Sequence, residues 1–208
     1  MKNKKIITAV VTIIVIALIL ILGYFAMLKV EQNKVASTIE ETFTNLKSSE
    51  NNDQKEELLE EIKNNTEEEN GTEDSIDYTV LFNKLDYSII ENKANFKEAD
   101  VVIDITNKDM KQILGNYLVK IFQLAFSNAF TNTYSDEQMN EELANYLKEQ
   151  MESEEIDSIT TQITLKMEKQ DGKWIIKEES KEEFVNAVLP GFLDTINEIN
   201  SSVNENVE

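Results

Sequence analysis

Two pairs of neighbouring carboxylates, Glu154-Glu155 and Glu182-Glu183, are the first places to look for chemistry in this chain. Glycoside hydrolysis needs two carboxyls facing each other across a sugar, roughly 5–10 Å apart. Adjacent residues on a loop or a helix surface do not present that geometry. The stretch Thr66–Asp77 has Gly71 where a calcium loop wants its glycine, but it begins with threonine and ends with an aspartate in place of a bidentate glutamate. A solvated loop is expected there. Histidine, cysteine and arginine are all missing. Without histidine no side chain titrates near neutrality unperturbed. Without histidine or cysteine a conventional nucleophile–base pair cannot be built. The lack of arginine removes the bidentate clamp for phosphate or carboxylate, and no glycine-rich phosphate loop replaces it. The lack of cysteine excludes disulfides, thiolate metal sites and a lipid-modified cysteine. No cofactor or metal is expected, and the chain reads as non-catalytic.

Charge sets further bounds. Twenty lysines stand against 40 acidic residues, a net charge of −20. Lys2, Lys4, Lys5 and Lys29 precede every acid, so from Val30 onward sixteen lysines face all 40 acids, a net −24. A field of that sign repels nucleic acid and anionic lipid headgroups, leaving both as poor partners. It also keeps an exported domain soluble.

The 208 residues leave room for one anchoring segment and one medium domain. A basic tail, residues 1–5, precedes an apolar run over 6–28 that reaches roughly 35 Å as a helix, enough to cross a hydrocarbon core of about 30 Å. Tyr24 spoils the small-x-small rule for cleavage after Ala26, so an uncleaved signal anchor is expected in preference to a removed signal peptide. The lysine balance places the N-terminus in the cytoplasm and the acidic domain outside a bacterial cell membrane.

Beyond the anchor, Val35, Ile39, Phe43 and Leu46 fall at helical spacing, predicting an amphipathic helix over 31–48. Residues 49–75 are acidic and asparagine-rich, a mobile loop with at most a short helix near 53–63. In residues 75–82, Ile76, Tyr78, Val80 and Phe82 would suit a strand and Ile76 and Val80 a short helix; the helix is preferred because Asp74 or Ser75 can cap it. Strands are predicted near 85–90 and 99–106, joined by a short turn. Thr106-Asn107-Lys108-Asp109 resembles a helix start, opening an apolar helix over about 109–130 whose stripe is wide enough to be buried on two sides. It is also too apolar for a monomer's surface, which leaves room for a dimer. Ser135…Gln138 is a capping box for the next helix. Ile159, Thr161, Ile163, Leu165 and Met167 then alternate with polar residues, and Gln170-Asp171-Gly172 turns the chain into a strand beginning at Trp174. A last helix opens at Ser180-Lys181-Glu182-Glu183 and is broken at Pro190-Gly191. The domain is expected to span 76–200 with a frayed tail over 201–208. This order implies an α+β fold, helices on one face of a four-stranded antiparallel sheet, preceded by one transmembrane helix.

The strand pair KLDYSIIEN and EADVVIDITN, with the closing ITLKMEKQDGKWIIKEES, resembles the cystatin-like fold of the nuclear transport factor 2-like superfamily, in particular its exported or membrane-anchored bacterial domains of unknown function. The resemblance covers roughly 76–190 and implies a curved, cone-shaped sheet. Enzymes of that superfamily, ketosteroid isomerase among them, hold an aspartate base and a tyrosine donor on the concave face. Here the resemblance brings forward Tyr87, Tyr117 and Trp174 as lining, while Asp100 and Asp104 fall on the solvent side of their strand. Three readings follow: a non-catalytic interaction domain with a protein partner, a carrier or sensor of a small apolar ligand in the cone, and an isomerase-like enzyme. The interaction domain fits the missing residue types best. A filled interior would exclude the other two.

Overall fold

The computed structural model describes residues 2–48 and 78–204. In chain order these form α1 (Lys2–Lys47), a 3-10 turn (Tyr78–Phe82), β1 (Asp86–Ala94), β2 (Glu98–Lys108), α2 (Met110–Thr131), α3 (Asp136–Glu152), β3 (Ser158–Gln170), β4 (Lys173–Ile176), a second 3-10 turn (Glu178–Ser180), α4 (Lys181–Val188) and α5 (Phe192–Asn204). The expected helix at 53–63, the loop 49–75 and the calcium-like stretch Thr66–Asp77 lie outside the described residues, as do Asp74 and Ser75.

The strands make one antiparallel sheet in the order β1-β2-β3-β4. Alternation along the two central strands sorts their side chains. Val101, Ile103 and Ile105 of β2 and Ile163, Leu165 and Met167 of β3 are buried, while Thr160, Gln162 and Thr164 are exposed on the other face. The buried face is covered by Val35, Ile39, Phe43 and Leu46 of α1 and by Phe184, Val185 and Val188 of α4, all part of one core cluster. Phe43 joins three layers, stacking on Tyr87 of β1 with ring centroids 4.2 Å apart and meeting Phe184 of α4 edge-on at 5.9 Å.

The sheet is not strongly curled, which corrects the expected cone. The pairing explains why. β2 and β3 stay in continuous register from Glu98–Glu168 to Lys108–Ser158, the only irregularity in β1–β2 is the bulge between Ile89 and Glu91, and β4 is four residues long. Bulges are what bend sheets sharply, and the two central strands carry none between them.

Other expectations need adjusting. The anchor and the amphipathic helix are one uninterrupted helix, because nothing between Tyr24 and Lys47 breaks it: no glycine or proline falls there. Over Ile14–Lys47 it is long and apolar enough to cross a membrane, and its residues from Ile14 to Met27 are exposed, unlike those of a buried core helix. The helix start after β2 is made by Asp109, whose carboxylate accepts from the Gln112 N–H. Thr106 stays in the sheet, bonded to the Thr160 hydroxyl. The Ser135–Gln138 capping box forms in both directions. Ser180 does not cap α4 through its side chain, since its hydroxyl accepts the Lys166 N–H of β3 instead. The β3–β4 turn places Asp171 and Gly172 at φ 48° and 83°, as an Asp-Gly hairpin requires. The last helix runs to Asn204, and residues 205–208 of the tail expected to fray lie outside the described residues.

Asn107 holds the end of β2 against its neighbours. It is fully buried, and its Nδ2 donates to the carbonyls of Leu81 (3.0 Å) and Val188 (2.8 Å), tying the first 3-10 turn and the C-terminus of α4 to the sheet. Asn107→Ala leaves both carbonyls without this donor, with an expected loss of about 2 kcal/mol. Asn107→Asp points an acceptor at two acceptors and costs more, about 3–4 kcal/mol, until acid protonates it. Denaturant unfolding of the full chain in detergent micelles, followed by the single tryptophan, measures both.

Candidate functional site

Of the three aromatic residues singled out from the sequence, Tyr117 and Trp174 belong to the one core cluster and Tyr87 packs against it. Tyr87 is half-buried against Phe43. Tyr117 is buried on the N-terminal half of α2 with Met110 and Ile113. Trp174 is buried at the start of β4, where its indole N–H donates to Glu31 of α1. The sheet face that a cone would leave open is occupied by side chains from α1 and α4. Asp104, half-buried on the outer face, accepts from Gln162 at 2.7 Å, and Asp100, four residues along the same strand, is exposed. A recess of about 570 Å³ at the β-turn end is lined by Asn95, Lys97, Glu98, Glu168 and Lys169, polar groups throughout. Among the described residues no cluster of three or more acidic side chains is arranged to hold a metal.

Glu31 is the most perturbed carboxylate described, and the sequence reading missed it. It sits one turn before Val35 on the stripe that packs under the sheet and is itself buried. Lys169 donates to its Oε2 at 2.6 Å, Lys34 to its Oε1 at 2.9 Å, and Trp174 Nε1 to Oε2 at 3.2 Å. The Lys169 hydrogen bond, then that of Lys34, hold its carboxyl down to about 2, with burial opposing and Trp174 assisting. A charged residue in the i−4 position of an apolar stripe was the available signal.

Outside α1, the described surface with the most exposed large apolar side chains is on α2. Met110, Ile113, Tyr117 and Leu124 are buried, but Val119, Phe122, Phe126 and Phe130 are 54%, 71%, 69% and 75% exposed. Spaced by three and four, they form one stripe along the helix. The expectation that α2 is buried on two sides is therefore half met. Its first half enters the core, and the helix pairs along its length with α3. Lys120 bridges to Glu142 at 2.7 Å and lies over the Tyr146 ring, and Asn116 donates to Gln150 at 2.7 Å. Asn132, left-handed at φ 46°, ends α2, and Asn128 accepts the Tyr134 N–H, fixing the tip of the helical hairpin. Such a hairpin has one inner face, and the phenylalanines are on the outer one.

Comparison with protein families, with characterised proteins and with solved structures finds no match. The geometry of this chain is therefore what bears on function.

Because Glu31 is lowered on folding, its contribution is present above its unfolded value near 4.5 and disappears as pH falls toward about 2. That shift corresponds to roughly 3 kcal/mol. Glu31→Gln is expected to lower stability at neutral pH by about 2 kcal/mol and to flatten its decline between pH 4.5 and 2. Acid titration of the unfolding midpoint, wild type against variant, is the check.

Proposed function

We infer that this protein is a non-catalytic interaction domain, anchored by one pass in a bacterial cell membrane with its N-terminus in the cytoplasm, and that α2 is its contact face. The exposed apolar length of α1 supports the anchor, and the lysines before it support the orientation. The order of two hairpins separated by helices supports kinship of architecture with the nuclear transport factor 2-like domains. The missing histidine, cysteine and arginine support a role without catalysis.

The observation that carries the reading is the stripe Val119, Phe122, Phe126, Phe130. Three phenylalanines held in a row toward water mark a surface built to be covered. A second copy of this chain fits best. From Met110 to Ser135 there is no acidic residue, in a protein that has 40. Two copies meeting there bring apolar surface together without opposing carboxylates from this segment, whereas most other faces would set acid against acid. Anchors in one membrane hold both copies upright at one height, and a two-fold axis along the membrane normal lets the same stripe face itself.

The absence of native cysteine makes the test clean. In full-length protein reconstituted into vesicles, Ala129→Cys at the edge of the stripe is expected to give an oxidant-dependent dimer. Thr164→Cys on the outer sheet face is expected to stay monomeric. Changing Phe122, Phe126 and Phe130 to serine should abolish the dimer while leaving stability within about 0.5 kcal/mol, since exposed side chains contribute little to folding. A cross-link at Thr164→Cys and none at Ala129→Cys would count against α2 as the contact face.

A further inference from the structure

α1 meets the domain below the point where its apolar run ends. Tyr24 lies four residues, about 6 Å along a helix, inside the end of that run at Leu28. Its ring packs edge-on against Phe96, 5.8 Å between centroids, and Phe96 is the tip of the β1–β2 turn. About two turns higher, Asn92 donates to the Gln32 carbonyl at 2.8 Å, and Lys169 and Trp174 bind Glu31. Both β-turns are thus fastened to α1 at the level where it leaves its apolar stretch.

The charge at this end differs from the rest of the chain. The three segments that form it, residues 29–34, 91–98 and 168–173, each hold two lysines, six in all against five acids. Three of those acids are already neutralised: Glu31 by Lys34 and Lys169, Glu91 by Lys93, and Glu98 by Lys177. Lys29, Lys97 and Lys173 are exposed and make no ion pair among the described residues. The chain as a whole repels anionic surfaces, but this end does not.

We propose that the β-turn end is a membrane-docking surface for anionic phospholipid: Phe96 sits at the boundary of hydrocarbon and headgroups beside Tyr24, and Lys29, Lys97 and Lys173 take lipid phosphates. This rests on the anchoring role of α1. Given that role the depth of Phe96 follows from its contact with Tyr24, because an aromatic ring 6 Å inside the end of a spanning segment is at the interfacial belt. The acidic remainder of the domain is carried away from the surface by the length of the strands, about 40 Å from the end of β3 to its start.

The experiment uses the full-length chain in vesicles of phosphatidylcholine, with and without phosphatidylglycerol. An environment-sensitive fluorophore is attached at Gln170→Cys in the β3–β4 turn or, as a control at the opposite end of β3, at Glu154→Cys. Quenching by headgroup-spin-labelled lipid is expected to be several-fold stronger at 170 than at 154, and to increase with phosphatidylglycerol. Lys97→Gln with Lys173→Gln should remove the phosphatidylglycerol-dependent part, and Phe96→Ser should weaken quenching in both lipids. Equal, weak quenching at 170 and 154, in a chain that still resists alkaline extraction, overturns the docking surface and leaves the anchor standing. Release by alkaline extraction overturns the anchor itself, and the docking surface with it.

Discussion

One apolar stripe, Val35, Ile39, Phe43 and Leu46, is buried under a sheet whose first strand begins some forty residues later. The rest of the structure depends on that burial. The stripe supplies one wall of the core, and Phe43 links β1 to α4 through its ring contacts. It also belongs to a helix whose other half is suited to lipid. One element therefore has to satisfy two solvents, and the change occurs within a few residues, between Leu28 and Val35. Glu31 lies at that change. A buried carboxylate with an indole N–H and two ammonium groups around it is stable only when all its partners are in place. It therefore fixes the register of α1 against the β3–β4 hairpin more sharply than apolar packing could.

The distribution of acid gives the chain its surface logic. Forty carboxylates make most faces repel one another. The surfaces that escape are the apolar half of α1, the outer face of α2, and the lysine-bearing β-turn end. In the reading proposed above, each is matched to a different neighbour: lipid chains, a like surface, and headgroup phosphate. In an acidic protein, contacts are written as much by where carboxylates are left out as by the residues put in.

Much of the fold was legible because its signals are local. Alternation along Ile159–Met167, the Asp-Gly turn and the Ser135–Gln138 box each specify their own element, and each forms as expected. What was illegible depends on distant partners. Ser180 has the right type and place for a cap, yet its hydroxyl goes to β3. Sheet curvature is set by bulges, which no local pattern announced. The breadth of the α2 stripe was plain, but periodicity shows only that a face is apolar, not whether anything covers it. Tyr87, Tyr117 and Trp174 were chosen by residue type; their neighbours, Phe43 and Glu31 among them, come from parts of the chain too far away for spacing to reveal.

An unbroken helix from Lys2 to Lys47 also has a mechanical meaning. A rod with no swivel transmits twist and tilt along its whole length. The stripe of its C-terminal half is packed in the core, and its middle is braced by Phe96 and Asn92, so the domain is joined to the helix at several levels. With α1 as the proposed span, the orientation of α2 about the membrane normal follows the rotation of that span.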